Sequence, residues 1–290
     1  AAPTPVVDAE RLFVFYESGD LIALNHQGDQ LWKRSLTKEH GKIQGAHGLG
    51  GSLAQTDDAV IVLIDHGGPS YLLAVDKKTG ETQWKTDRSG GTSWSSPIVS
   101  KRGGQTEILV SGAGTLDGYD AGTGKRKWTV KGLTGNNVPS PTASGDLIVV
   151  GAQEPQSNLA VRVKTNGDAT AAEVAWRAKK ASSSFGSPLI HRGHVYFVNR
   201  AGAASCLDLK TGEPRWTERL PGSTWASALG AGDRVYFFTQ EGAAAVFAAG
   251  GELKLLAENK LTVGKRLYGF AAINGALILR GGNQLIRVGK

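Results

Sequence analysis

Side chains that could catalyse a reaction or bind a metal are few in this sequence. One cysteine, Cys206, is present among the 290 residues, so neither an intramolecular disulfide nor a cysteine-based zinc site can form. The histidines lack the spacing of metal ligands, and two of them flank a pair typical of a hairpin turn, His191-Arg192-Gly193-His194. There is no Gly-x-Ser-x-Gly nucleophile motif, Walker phosphate loop or EF-hand. We therefore predict no catalytic residue, no metal site and no bound cofactor.

Three aromatic side chains stand at equivalent places and could anchor a partner. Trp94, Phe185 and Trp225 each lie three residues before a strand-opening proline or its equivalent. Equivalent positions of a repeat lie at equivalent heights, and aromatic side chains at a rim are common anchors for a peptide or a loop. We predict a partner-binding rim at the mouth of a central channel, formed by Trp94, Phe185, Trp225, Asn136, Asn137 and His47. The alternative is that these aromatic rings pack between neighbouring sheets.

An internal repeat reveals the elements that position these residues. The motif Asp-x-x-Thr-Gly-x-x-x-Trp occurs at Asp76, Asp120 and Asp208, each after a short apolar run typical of a strand. We expect the Asp to bind backbone N–H groups one or two residues on, and the Gly to close the turn with positive φ. The Trp should fill the space between adjacent sheets. The predicted structural docking residues are Trp32, Trp84, Trp128, Trp176, Trp216, Asp76, Asp120 and Asp208.

Three copies of the repeat depart from this motif. The first is one residue shorter and ends at Trp32, and a degraded copy with a longer loop ends at Trp176. In the sixth copy we expect Leu255 to replace the Trp. Complete copies have a small residue two positions before the Asp. We align Arg162 of the degraded copy with this small-residue position.

The repeat predicts an all-β protein, a β-propeller of four-stranded antiparallel blades. Successive Trp residues are 52, 44, 48 and 40 positions apart, near the ~40–45 residues of a propeller blade. We predict one domain over 1–290, with blades that start near Ala2, Gly51, Trp94, Val138, Phe185, Trp225 and Gly269. The seventh blade is expected to lack its fourth strand. Because the sequence also has no Met, we expect either seven blades or a trimmed eight-bladed ring from a longer chain.

Composition and charge narrow the class of protein. Gly makes up 40 of 290 residues without a three-residue period, so collagen is excluded and repeated turns explain the excess. No apolar run approaches the ~18 residues of a membrane helix. The net charge is +7, and residues 146–290 carry 18 basic and 11 acidic side chains. We expect a solvated basic face, with an anionic surface as an alternative partner; no RNA-binding signature is present, so nucleic acid is not expected.

The motif at Asp76, Asp120 and Asp208 resembles the tryptophan-docking motif of the pyrroloquinoline-quinone (PQQ)-type β-propeller family, and the resemblance covers nearly the whole chain. That family contains quinoprotein dehydrogenases and non-enzymatic scaffolds of outer-membrane β-barrel assembly. The dehydrogenases use adjacent cysteines beside the quinone, whereas Cys206 stands alone where Ala23 and Ala74 stand in other copies. The assembly lipoprotein carries an N-terminal lipidated cysteine, which this sequence does not contain. The resemblance therefore implies the propeller fold. It implies neither PQQ binding nor membership of the outer-membrane β-barrel assembly machine.

These observations favour a non-catalytic interaction or scaffold propeller outside the cytoplasm, either periplasmic or secreted. The partner is expected to be a protein or peptide, the chain is not expected to span a membrane, and the oligomeric state stays open. The localisation follows from the family resemblance and the missing initiator Met. The alternative is a small-molecule binder or an enzyme at the channel mouth, directed at a quinone or a carbohydrate.

Overall fold

Short strands rich in β-branched and aromatic residues pair with their neighbours in sequence, and glycine-containing turns join them. The computed structural model describes residues 3–45, 47–135, 138–166, 169–263 and 266–289. Within these ranges there are seven antiparallel sheets, six of four strands and one of three, each made of consecutive strands. The predicted fold class, an all-β propeller with four-stranded blades, is confirmed. The described helices are α1 (Leu36–His40) and a single 3-10 turn (Pro155–Ser157).

The chain divides into two compact units, and the first comprises residues 1–133 and 163–173. Blade 1 contains β1 (Val6–Val7), β2 (Arg11–Phe15), β3 (Asp20–Asn25) and β4 (Gln30–Ser35). Blade 2 contains β5 (Ala54–Gln55), β6 (Ala59–Ile64), β7 (Tyr71–Asp76) and β8 (Thr82–Asp87). Blade 3 contains β9 (Ile98–Arg102), β10 (Gln105–Gly112), β11 (Thr115–Asp120) and β12 (Arg126–Lys131).

The second unit comprises residues 134–162 and 174–290. Blade 4, whose residues 163–173 are grouped with the first unit, contains β13 (Thr142–Ser144), β14 (Leu147–Val150), β15 (Leu159–Asn166) and β16 (Ala169–Arg177). Blade 5 contains β17 (Leu189–His191), β18 (His194–Val198), β19 (Ala203–Asp208) and β20 (Pro214–Arg219). Blade 6 contains β21 (Leu229–Ala231), β22 (Arg234–Phe238), β23 (Ala243–Ala248) and β24 (Leu255–Lys260). Blade 7 contains β25 (Leu267–Ile273), β26 (Ala276–Gly281) and β27 (Gln284–Val288). The single domain over 1–290 stays a prediction.

The hydrophobic cores lie between successive blades of each unit. In the first unit, Phe13 and Val62 belong to one buried cluster, and Ile61 and Tyr119 belong to a second. In the second unit, three clusters join blade 4 to 5, blade 5 to 6 and blade 6 to 7. Because successive strand residues point to opposite faces, a central strand such as β6 buries both faces, and all six of its residues are buried.

The Asp of each complete motif shapes the turn after the third strand of its blade. One carboxylate oxygen of Asp76, Asp120 and Asp208 accepts hydrogen bonds from the backbone N–H groups two and three residues on, at 2.8 to 3.1 Å. The expected bond to the N–H two residues on is confirmed, whereas the N–H one residue on bonds elsewhere. That N–H is already bonded to the turn between the first two strands of the blade, as Lys77 N donates to Asp58 O at 2.9 Å.

Strand register corrects two alignments in the altered copies. The small-residue position pairs with the Trp in Ala23–Trp32, Ala74–Trp84, Gly118–Trp128 and Cys206–Trp216. In blade 6 the corresponding pair is Val246–Ala257, so Ala257 rather than Leu255 holds the Trp position. In blade 4 the small residue is Ala160, which pairs with Val149 as Cys206 pairs with Tyr196. Arg162 instead lies opposite Leu147 beside the turn and forms an ion pair with Asp146 at 2.9 Å.

No helix in the described ranges is both long enough and apolar enough to cross a membrane.

Candidate functional site

Two of the predicted rim aromatics are in contact in the second unit. Phe185 and Trp225 lie just before the first strands of blades 5 and 6, and their ring centroids are 4.8 Å apart with the planes tilted by 38°. Tyr268, in β25, meets Trp225 edge-on at 6.4 Å. The rings of Phe185, Trp225 and Tyr268 therefore form one aromatic cluster shared by three successive blades.

This aromatic cluster borders a cleft of about 570 Å³ in the same unit. Most of the lining residues carry amide or hydroxyl groups, namely Gln153, Ser182, Ser184, Asn199, Ser223 and Gln240. Arg200, Glu241 and Arg266 add charge, and Ala201 and Trp225 are the apolar lining residues. The volume falls in the range of ordinary ligand sites, but the lining is more polar than is usual for a small-molecule pocket.

The polar wall of the cleft is held by hydrogen bonds between the loops of blades 5 and 6. The Gln240 side-chain amide donates to Ser223 Oγ at 2.8 Å, and the Thr224 hydroxyl donates to Asn199 O at 2.8 Å. Backbone bonds run alongside, from Thr224 N to Arg200 O and from Gln240 N to Ser223 O. The loops between the second and third strands are thus fixed before any ligand binds.

The Trp225 indole N–H is out of solvent contact and has no hydrogen-bond partner among the residues that the structure describes. A buried donor without an acceptor costs roughly 1–3 kcal/mol. The aromatic cluster therefore contains one hydrogen-bond donor for which no described residue of the chain is the acceptor.

The remaining predicted rim residues are distributed differently. In the first unit, the ring centroids of Trp94 and His47 lie 6.1 Å apart, and Trp94 also packs on Gly50, where an added Cβ would come within 3.0 Å of the indole. Asn136 and Asn137 lie outside the described residues. The common rim that includes both units stays a prediction.

Sequence reasoning missed Arg200, Arg266 and Tyr268. Arg200 lies in the loop that joins β18 to β19, the loop equivalent to Gln240-Glu241 in blade 6. A comparison of these equivalent loops could have identified Arg200. The repeat pattern did not identify Tyr268, because blade 7 has no strand-opening proline and the pairing of β25 with β26 shifts register between Leu267 and Gly269.

Four of the five predicted docking tryptophans bond to the next blade. The indole N–H groups of Trp32, Trp84, Trp176 and Trp216 donate to a backbone oxygen of the next blade, at Lys77, Ala121, Leu209 and Gly250, over 2.9 to 3.2 Å. Trp128 differs, because its N–H points to the Glu107 carboxylate of its own blade at 3.4 Å. These contacts join successive blades within each unit.

Cys206 and the histidine pair are structural groups. The Cys206 side chain is fully buried, its thiol donates to Gly250 O at 3.4 Å, and burial raises the pKa of the thiol to about 12. A thiol with that pKa is protonated at neutral pH and a poor nucleophile. His191 and His194 pair across the predicted hairpin turn, whose residues Arg192 and Gly193 both have positive φ. In the described part of the chain, no three His, Cys, Asp or Glu side chains form a group that could hold a metal ion.

The first unit contains a buried ionic cluster that the sequence did not reveal. The Arg88 guanidinium donates to both oxygens of Asp65 at 2.8 and 3.0 Å, to Asp117 at 3.2 Å and to the Tyr119 hydroxyl. The side chains of Arg88, Asp65 and Asp117 are at most 3% exposed. Burial raises the pKa of the Asp65 carboxyl, against the opposing effect of Arg88. Since the cluster is closed to solvent and both carboxylates contact the guanidinium, we interpret it as structural.

Comparison with known proteins connects this architecture to a family. The family model described as outer membrane protein assembly factor BamB matches residues 18–252 and 165–288. The chain belongs to this family. The resemblance to PQQ-type propellers is therefore confirmed, while no curated protein sequence matches this BamB-family chain.

Solved structures agree on the fold of this BamB-family chain. BamB from Moraxella catarrhalis superposes with a TM-score of 0.76 at 16% identity, over 99% of this chain and 84% of that protein. Quinohemoprotein alcohol dehydrogenase from Comamonas testosteroni gives 0.66 at 14% identity, over 96% of this chain and 62% of the enzyme. A europium-containing methanol dehydrogenase gives 0.64 at 14% identity, over 96% and 72%. At these identities the likeness shows the fold alone.

Proposed function

We propose that this BamB-family chain is a non-catalytic protein-interaction module that acts outside the cytoplasm, and that its partner binds at the aromatic cluster of the second unit. The observation that carries the proposal is the contact between Phe185 and Trp225 beside an open polar cleft. Large rings next to polar groups are the residues that most often dominate protein interfaces. The family description, an assembly factor for outer membrane proteins, supports both the partner class and a periplasmic location.

Within this proposal, Trp94 and His47 form a second contact surface in the first unit, and the tryptophans of the docking motif are structural. Trp32, Trp84, Trp176 and Trp216 use their N–H groups in bonds to the next blade, so these donors are occupied. Trp225, in contrast, borders the cleft, and its buried N–H has no acceptor among the described residues. This difference in hydrogen bonding separates the proposed binding aromatic from the structural ones.

The alternative function is a small-molecule binder or enzyme directed at a quinone or a carbohydrate. Two of the structural neighbours are dehydrogenases, and an aromatic ring beside amide and hydroxyl groups can bind a sugar. The polar lining of the cleft and its open form favour a protein partner over this alternative.

Site-specific photo-crosslinking tests the proposed function. A benzoyl-phenylalanine residue is introduced at Phe185 or, as a matched exposed control on β24, at Leu256, and the protein is expressed in its source cell. We expect position 185, but not 256, to crosslink to one protein identifiable by mass spectrometry. Binding of that purified protein should then weaken about tenfold or more in Trp225→Ala and be unchanged in Leu256→Ala.

The alternative is tested by measuring the Tm of the protein with PQQ and Ca²⁺ and with each sugar of a panel. A rise of several degrees in Tm with one of these ligands, lost in Trp225→Ala, would support a small-molecule site and overturn the interaction proposal. Equal crosslinking from positions 185 and 256 would also contradict it.

A further inference from the structure

Two arginines at the cleft of the second unit have no carboxylate partner. Arg200 and Arg266 are exposed, and neither guanidinium forms an ion pair within the part of the chain that the structure describes. Two other arginines of the same unit do have close carboxylate partners, in the pairs Arg162–Asp146 and Arg215–Asp208, both at 2.9 Å. The cleft therefore concentrates unneutralised positive charge.

The Arg200 guanidinium contacts an aromatic ring and donates no hydrogen bond within the part of the chain that the structure describes. Its guanidinium carbon lies 5.9 Å from the centroid of the Phe185 ring, a cation–π contact. Its backbone N–H donates to Ser184 Oγ at 3.0 Å, which fixes the loop beneath it. A guanidinium in a cation–π contact keeps its planar fork of donors available, and that fork matches the geometry of a carboxylate.

The surroundings of the two arginines fit an extended peptide. Gln240, Asn199 and Ser223 supply amide and hydroxyl groups along the cleft, of the kind that hydrogen-bond a backbone. Glu241 is the one acidic lining residue and lies beyond ion-pair distance of either arginine within the described residues, so the lining has a net charge of +1. The whole chain, at +7, adds a field that attracts acidic partners.

We propose that this cleft recognises an acidic segment of a partner protein, with Arg200 and Arg266 binding its Asp or Glu carboxylates and the aromatic cluster holding an adjacent apolar side chain. The inference rests on the proposed interaction function and specifies the chemistry of the partner. It predicts that affinity falls with rising salt, because the contacts are between exposed charges.

A random-peptide phage selection on the purified full chain tests this inference. We expect the selected peptides to be enriched in Asp and Glu on the wild type and on Arg280→Gln, which removes one exposed positive charge of the same unit outside the cleft. The enrichment should disappear on the double variant Arg200→Gln/Arg266→Gln. A fluorescein-labelled selected peptide should bind about tenfold more weakly to either single cleft variant, measured by anisotropy, and its Asn/Gln isostere should bind as weakly to the wild type.

Several outcomes would overturn the inference. These are peptides without acidic enrichment, enrichment that survives the double variant, or equal losses in Arg280→Gln and the cleft variants. Binding to phosphatidylglycerol vesicles that depends on the cleft arginines, without peptide binding, would assign the cleft to a membrane surface instead. If acidic selection fails while position 185 still crosslinks one protein, the interaction function stands and only the partner chemistry is wrong.

Discussion

The indole ring of Trp84, in blade 2, covers Gly124, in blade 3, so closely that a Cβ added to Gly124 would lie 2.3 Å from the ring carbon Cε3. The same indole donates its N–H to Ala121 O at 3.0 Å, in the same turn. Gly80 under Trp32 and Gly212 under Trp176 repeat this relationship. Two constraints thus require glycine at this position of the motif. One is the positive φ of the backbone, and the other is the closely packed indole ring of the preceding blade.

A matched pair of glycine variants separates these two causes. Gly212 and Gly193 belong to blade 5 and have φ of 72° and 76°, but an added Cβ would meet Trp176 at 2.5 Å in the first case and nothing within 4 Å in the second. We expect Gly193→Ala to cost about 1 kcal/mol of unfolding free energy, from backbone strain, and Gly212→Ala about 3 kcal/mol or more, since the ring must also move. Urea denaturation measures both; equal losses would show that only φ matters.

Removal of Arg88 should destabilise the protein strongly. Arg88→Met leaves the carboxylates of Asp65 and Asp117 buried without their cation, for which we expect a loss of about 3–5 kcal/mol in the free energy of unfolding. The control is Arg162→Met, whose ion pair with Asp146 is largely exposed and should contribute less than about 1 kcal/mol. Adding Asp65→Asn to Arg88→Met should restore part of the loss. Similar stabilities of the two single variants would contradict a structural role of the cluster.

His66 should make stability depend on pH. Burial lowers the pKa of His66, and its Nδ1 accepts hydrogen bonds from Gln44 N at 3.0 Å and Gly68 N at 2.8 Å, which requires a neutral ring. Because the unfolded chain therefore takes up the proton first, the contribution is present above the ordinary value of 6.5 and is lost as pH falls below it. Urea unfolding between about pH 7 and 5 should show a smaller loss in His66→Asn, whose amide oxygen can accept both bonds.

The exposed His26→Asn serves as the control and should keep the wild-type pH dependence. Some dependence should persist in His66→Asn, since burial also lowers the pKa of His40. An unchanged slope in His66→Asn would contradict the assignment.

Cys206 should report unfolding. With its pKa raised to about 12 by burial, the thiol should resist iodoacetamide at neutral pH in the native protein and react once the blade opens in urea. Cys206→Ala should cost about 1 kcal/mol or less, because blades 1 and 2 have alanine at the same position opposite the Trp. Rapid native labelling would mean that blade 5 opens readily.

In the altered repeat copies, the sequence alone did not give the correct strand register. The complete motifs give the turn and the strand order directly, because the Asp, Gly and Trp of each motif lie within nine positions of each other. Blade 4 keeps its Trp but has lost the Asp, and blade 6 has lost both the Asp and the Trp. Only backbone pairing shows that Ala160 in blade 4 and Ala257 in blade 6 occupy the small-residue and Trp positions. Without local chemistry to fix it, register depends on which face is buried.

The sequence by itself determined the all-β propeller, the four-strand order of the blades and the turn after each third strand, since these follow from local patterns that repeat. Only the tertiary structure decided which distant side chains meet. Arg88 reaches Asp117 across 29 positions, and Arg200 makes a cation–π contact with Phe185 from a neighbouring loop. The physical reason is that contacts between charged groups and between rings depend on burial and on the spacing between blades. The sequence of a single repeat determines neither.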